Sequence, residues 1–401
     1  MIAILSDSST LTTGFGRTTK HIAQALHHSG RPVACFGLKA RPEDVGEDMQ
    51  YLVWPAEQGE HWTTSLPGFF AATTPDCLVV NMDAYNAVEV ITAARSAGYG
   101  GPVVLYVVFD GLPIGTHYLD IQRTCDAIIA SSRTAASYLR SQGLEVAGIA
   151  PPGVDTEVFR VDPDREALRA RTGLADAHVV GVFGVNSERK QTARVLTALP
   201  DIQRALAPAR AFLYLHCRAV GYWRLADMAR DLGVADQVLF PATSEFDEWR
   251  GVPTTLSGQV PRPQGNGGQA PHAPSDLSYV ERMNLCDVIV NVPHSGDIEQ
   301  VILEAQACGV PLIHTDDRGV MAEAVGAAGI LLPATDVGIG RAGEQIQHVA
   351  TADIATAVSR LLRDDAAAAD LRQAGLRNAT NYPWTVLETE VCKVVSTVLG
   401  D

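Results

Sequence analysis

Four short runs in this chain hold side chains able to do chemistry. In Val301-Ile-Leu-Glu304-Ala305 a carboxylate stands among residues that read as one buried helix. A buried carboxylate is costly unless donors are supplied to it, and a pair of ligand hydroxyls would supply them. Asp297, Ile298, Glu299 and Gln300 open that same helix, where carboxylates are favoured by the helix dipole in any case. The second run is Gly184-Val-Asn186-Ser-Glu-Arg189-Lys190, which follows the strand-like Val179-Val-Gly-Val-Phe183. Cations at a helix start are disfavoured by the dipole. A basic pair at that place, beside Asn186, therefore reads as a device for neutralising an anion without metal. The third run is Thr12-Thr-Gly14-Phe-Gly16-Arg17-Thr-Thr19. Its glycines would let backbone amides approach a ligand ahead of a helix. The fourth, Val107-Val-Phe-Asp110-Gly111-Leu-Pro113, ends a strand with a carboxylate. Asn81 and Asp83 are weaker candidates of the same kind, and His117 reads as a surface residue.

Alternating strand and helix signals position these runs. Strands are expected at 2–5, 33–37, 77–81, 103–108, 127–130 and 146–149, with helices at 17–28, 86–97 and 133–141. A second series restarts at 179–184 and continues with strands near 211–216, 237–240, 287–292 and 311–314. The run from Asp287 to His314 is a strand–loop–helix–strand unit, the unit of a parallel α/β sheet. Such sheets bind ligands outside the carboxyl ends of their strands. At 401 residues two domains are expected. Pro151-Pro-Gly-Val-Asp-Thr-Glu-Val-Phe159 is the linker signal, with Asp155 as a turn cap. The reading is two Rossmann-like, doubly wound domains facing a cleft, residues 1–165 and 166–383, with a helix at about 384–401 returning to the first. Residues 250–275 hold five prolines and five glycines. They read as an insertion, either a solvent-exposed loop or a flap.

Leu303-Glu304-Ala305-Gln306-Ala307-Cys308-Gly309-Val310-Pro311 resembles the donor-binding signature of retaining GT-B glycosyltransferases of the family 4 type. Arg189-Lys190 resembles the later basic residues of that family's diphosphate loop, and Pro152–Phe159 its interdomain segment. The first half of the signature departs: eight positions before Glu304, where the family has its first glutamate, stands Gly296. Aligned on Pro293 instead, Asp297 takes that place in a loop one residue shorter. The early arginine of the diphosphate loop is also absent, with Val185 or Asn186 in its position. The resemblance implies a GT-B fold and a nucleoside-diphosphate sugar as donor. Glu304 would bind the ribose, Arg189 and Lys190 the diphosphate, and Asp297 or Asp110 the donor sugar. Gly14 and Gly16 would lie opposite the phosphates. It further implies front-face attack without metal or cofactor, and a crossover helix headed by Trp384. A GT-B sugar-nucleotide epimerase or hydrolase, and a catalytically silent donor-binding protein, stay open. So do the sugar, the base and the acceptor.

Composition excludes other classes. A net charge of −15 argues against a broad nucleic-acid surface. The seven cysteines are scattered, without metal or redox spacing, as in a reduced cytoplasmic protein. No apolar run is long enough to span a membrane, and no leader pattern opens the chain. A dinucleotide site is disfavoured because the second strand runs into Phe36-Gly-Leu-Lys39 without the acidic residue a nicotinamide ribose needs. No nucleophile elbow, zinc helix or Walker loop is present.

Overall fold

A computed structural model describes residues 1–46, 49–56, 61–241 and 277–401. The proline- and glycine-rich segment at 250–275 lies outside these residues.

The first sheet holds β1 (Ile2–Asp7), β2 (Val33–Leu38), β3 (Leu52–Pro55), β4 (Cys77–Asp83), β5 (Val103–Val108), β6 (Ala127–Ala130) and β7 (Gly148–Ile149). Its spatial order is β3-β2-β1-β4-β5-β6-β7, with neighbours parallel. The connecting helices are α1 (Gly14–His28), α2 (Leu66–Thr73), α3 (Ala84–Ser96), α4 (Thr116–Gln122) and α5 (Arg133–Ser141). A short α6 (Arg165–Arg171) precedes the second domain.

The second sheet holds β8 (Ala177–Phe183), β9 (Arg210–His216), β10 (Val238–Leu239), β11 (Val288–Asn291), β12 (Leu312–Asp316) and β13 (Gly329–Pro333), in the order β10-β9-β8-β11-β12-β13. Its helices are α7 (Thr192–Leu206), α8 (Leu225–Asp231), α9 (Tyr279–Leu285), α10 (Gln300–Ala307) and α11 (Val320–Val325). A hairpin, β14 (Asp336–Ile339) and β15 (Gln345–His348), then leads to α12 (Thr351–Leu361), α13 (Asp365–Ala379) and α14 (Trp384–Leu399).

Strand order reverses between β1 and β4 in one sheet and between β8 and β11 in the other. The loops after these four strands therefore flank the switch-point crevices where ligands of open parallel sheets bind. They include the glycine run, the basic pair and the loop before Glu304.

The strands are buried on both faces, which explains their continuous apolar runs. Several elements escaped the sequence reading. The edge strand β3 ends at Pro55 and shows little periodicity. The hairpin β14–β15 consists of two short, incompletely buried strands, and β13 follows an Ala/Gly stretch. Helix α1 begins at Gly14 rather than at residue 17. Thr13 caps it, its hydroxyl accepting from the Gly16 amide at 3.0 Å. The glycine run is thus the first turn of a helix.

Helix α14 does cross to the first domain. Leu387, Val391, Val394 and Val395 join the core formed by β1, β2, β4 and α1. Trp384 stacks on His21 of α1, centroids 3.9 Å apart. Gly153 of the Pro-Pro-Gly linker touches the start of this helix so closely that a Cβ would lie 2.5 Å from the Trp384 nitrogen. Gly153→Ala must push α14 off its seat. The expected cost is about 1–3 kcal/mol, read as a lower midpoint in urea unfolding, whereas Gly143→Ala, at a position with open space around it but positive φ, tests backbone strain alone.

Candidate active site

The carboxyl ends of the two sheets meet, and several of the side chains that close the gap are candidates from the sequence. Lys190 and Arg189 precede α7. Lys190 Nζ contacts Glu299 Oε1, and Arg189 Nη1 lies 3.2 Å from the same oxygen. Arg189 also donates to the Ser295 carbonyl at 3.0 Å, and its Nη2 lies 3.6 Å from Asp110 across the cleft. Burial would raise the Glu299 carboxyl, but the contact with Lys190, and Arg189 beside it, outweigh this and hold it well below the usual carboxylate range. Burial draws the Lys190 ammonium down, and Glu299 opposes this. We take the pair as ionised, because each charge has its counter-charge in contact. Asp110 also accepts from the Tyr85 hydroxyl at 2.6 Å. Burial, then Asp110, raises the Tyr85 pKa, so that phenol stays protonated and donates.

Glu304 is 2% exposed. Its Oε2 accepts from the Tyr279 hydroxyl at 3.1 Å, and its Oε1 pairs with Arg17 of α1. The expected donors exist, but they come from the chain itself, one of them from the opposite domain. Arg17 and Tyr279 were missed. Arg17 was within reach of the reasoning used for Lys190, as a cation in a first helical turn that holds no acid. Tyr279 follows the proline- and glycine-rich segment and carried no local signal.

Asp297 is buried, 6% exposed, and spans the cleft. Its Oδ2 accepts from the Phe109 amide and the Ser131 hydroxyl, both at 2.7 Å, and its Oδ1 from the Ile298 amide at 2.6 Å. Two of these bonds are to the first domain. Burial pushes its carboxyl up to about 6, against the hydrogen bonds of Phe109 and Ser131.

The remaining candidates fall into place around these. Asn186 is buried and holds the 218–223 loop, donating to the Arg218 and Trp223 carbonyls and accepting from the Trp223 amide. That is a structural task rather than an open ligand group. Gly16 is needed by its own loop, where a Cβ would lie 2.4 Å from the Leu11 oxygen, while Gly14 faces open space. Gln300 reaches the Gly14 carbonyl at 3.5 Å, Ile298 is buried, and Glu299 is the residue before α10. Asn81 holds α1 through Phe15 and Thr19. Asp83 caps α3, Asp155 caps its turn, and Asp317 caps α11. His117 is exposed and packs on Tyr118. Among the described residues no group of three or more His, Cys, Asp or Glu could hold a metal, and no helix is long and apolar enough to cross a membrane.

Two parallel-sheet domains face each other across a cleft at their strand ends, and a last helix returns to the first domain; this is the GT-B fold of glycosyltransferases. The chain superposes on Anabaena Alr3699/HepE in complex with UDP-glucose with a TM-score of 0.69 and 17% identity, over 99% of both chains. Sucrose-phosphate synthase from Thermosynechococcus elongatus gives 0.68 and 16%, over 100% of this chain and 99% of that one. In sequence, the chain is 31% identical over 273 residues to the GDP-mannose-dependent alpha-(1-6)-phosphatidylinositol monomannoside mannosyltransferase of Mycolicibacterium smegmatis, covering 66% of this chain and 59% of that protein. It is 30% identical over 247 residues to the D-inositol 3-phosphate glycosyltransferase of Stackebrandtia nassauensis, covering 59% and 45%. The match thus spans less than two thirds of either relative. No family model matches the chain.

Asp297 yields a prediction with a definite sign. Its folded pKa, about 6, lies above the ordinary 3.8. Folding therefore takes up a proton between these values, and this group makes the fold more stable as pH falls through that window. Asp297→Asn should remove this slope from the pH dependence of urea unfolding. It also turns one acceptor into a donor facing donors, at a cost of about 1–3 kcal/mol, and should open the cleft. An unchanged slope together with an unchanged radius of gyration in solution scattering would show that Asp297 does not hold the domains.

Proposed function

We propose that the chain moves a glycosyl group from a nucleoside-diphosphate sugar to an acceptor hydroxyl, with retention and without metal. The observation that carries this reading is the placement of Lys190 and Arg189 at the β8/β11 switch point, with Glu304 one helix away. A departing diphosphate gains negative charge in the transition state, and fixed cations stabilise it there. Lys190 and Arg189 would bind it, and Glu304 would take the ribose hydroxyls once Arg17 gives way. Asp110 is the carboxylate at the first domain's side of the same cleft and would meet the sugar or the acceptor. Asp297, with its oxygens committed to Phe109, Ser131 and Ile298, would support closure over the reacting sugar. Front-face attack lets the departing phosphate oxygen take the acceptor proton, so no dedicated nucleophile is needed. The relatives' names suggest a first choice of substrates: GDP-mannose as donor and an inositol-bearing acceptor.

A thermal-shift screen of nucleotide sugars tests the donor. At a hundred times its dissociation constant the right one should stabilise by ~2.7 kcal/mol. Lys190→Ala should lose roughly 1.5–3 kcal/mol of nucleoside-diphosphate binding, and Glu304→Ala should weaken the diphosphate and the sugar nucleotide alike. With an inositol acceptor, the product anomer read by NMR should match the donor, and turnover should survive EDTA. An inverted anomer would refute retention. Donor hydrolysis without transfer would favour an epimerase or hydrolase, and binding without any turnover a silent donor-binding protein.

A further inference from the structure

His314 stands on β12 and is fully buried. Its Nδ1 lies 3.2 Å from the Thr315 carbonyl oxygen, an acceptor that favours a proton on Nδ1. Its Nε2 faces Glu299 Oε2 at 3.9 Å, beyond direct hydrogen-bond reach. Neither of these two atoms has a hydrogen-bond partner among the described residues. The other oxygen of Glu299 holds both Lys190 and Arg189. One carboxylate therefore lies between two cations and an imidazole. A neutral imidazole with its proton on Nδ1 turns a lone pair toward Oε2 and repels it, whereas an imidazolium attracts it.

Room for this carboxylate comes from Gly296. A Cβ there would lie 3.1 Å from Arg189 Nη1 and 3.3 Å from Glu299 Oε1. The position that bears the first glutamate of the resembled signature is thus bare, and a carboxylate three residues later lies beside it. Without ligand, Glu299 satisfies the cations. A diphosphate brings more than one negative charge to the same two side chains, and Glu299 must then leave or be neutralised. His314, 3.9 Å from its other oxygen, is placed to receive it. Asp110 remains on Arg189 from the opposite domain. His294, on the loop after β11, cannot take the proton, because burial, then His348 and Arg189, draw its pKa down to about 4. His348 is lowered as well, by burial first.

We infer that Glu299 is an internal counter-ion, displaced by an anionic ligand from Lys190 and Arg189 onto His314, whose Nε2 takes one proton from solvent as it does so. The inference rests on Lys190 and Arg189 being the diphosphate site. His314 is a positioning residue: it acts through Glu299 and touches no reacting atom. Because binding takes up a proton, affinity is greatest at low pH and falls as pH rises.

Titration calorimetry with GDP and with UDP, at neutral pH in buffers of different ionisation heat, counts the protons taken up per nucleotide bound. The intact chain should take up about one proton more than His314→Gln, which keeps a polar side chain that does not titrate. Glu299→Gln should lose the same uptake and bind the nucleotide more tightly, because the internal competitor is gone. Equal uptake by the intact chain and His314→Gln, or weaker binding by Glu299→Gln, would overturn the inference. Should His314→Gln fail to fold, Glu299→Gln decides alone by the same two readings. If neither nucleotide binds the intact chain, the diphosphate site itself is refuted, an outcome distinct from binding without proton uptake.

Discussion

The two domains meet through carboxylates of the second that take hydrogen bonds from the first. Asp297 accepts from Phe109 and Ser131, and Glu304 pairs with Arg17. Glu323 of α11 accepts the Arg133 and Thr134 amides and the Thr134 hydroxyl at the start of α5. A carboxylate removed from water is tolerated only when donors surround it. These acids therefore make the closed arrangement specific, since only one placement of the domains supplies every donor. Apolar burial holds the domains together, one cluster running through both, and these acids add the donors and acceptors that specify how the two face each other.

The same logic governs the cleft. The cations of the cleft already have partners within the chain: Lys190 and Arg189 have Glu299, Arg189 has Asp110, and Arg17 has Glu304. A ligand entering such a site exchanges internal ions for its own. Its affinity is then the difference between two well-paired states rather than the full strength of its contacts. The chain carries a net charge of −15 and the cations of the site are matched by its own carboxylates, so the protein's field does little to steer an anionic ligand inward and binding falls to these few contacts.

Rigid packing fixes the helix that carries two of these ions. Every residue of α10 is buried. Gly375 of α13 lies against Gln306 of α10, where a Cβ would come within 3.3 Å of that residue's Cα. Asn378 of α13 donates to Gln306 and to the Ala324 carbonyl. Helix α10 cannot rotate without breaking this seat. The backbone at Glu299 and at Glu304 is therefore held beside the basic pair, and any exchange of ions falls to the side chains.

Much of this was legible in the residues. Apolar runs and turn signals gave the two parallel sheets, because strands buried on both faces must be continuously apolar. Two cations at a helix start, against the helix dipole, marked the basic pair, and the polar break in an apolar helix marked Glu304. What the sequence could not give was the partner of each charge. Arg17 and Glu304 are 287 residues apart, and Asp297 and Ser131 are 166 apart; no local pattern links them. Chain order likewise could not tell which acid fills the space left at Gly296, because Asp297 and Glu299 differ by two positions yet point to opposite domains. The elements follow from local periodicity, but the pairing of buried charges was decided only when folding brought two strand ends face to face and excluded the water that would otherwise have solvated them.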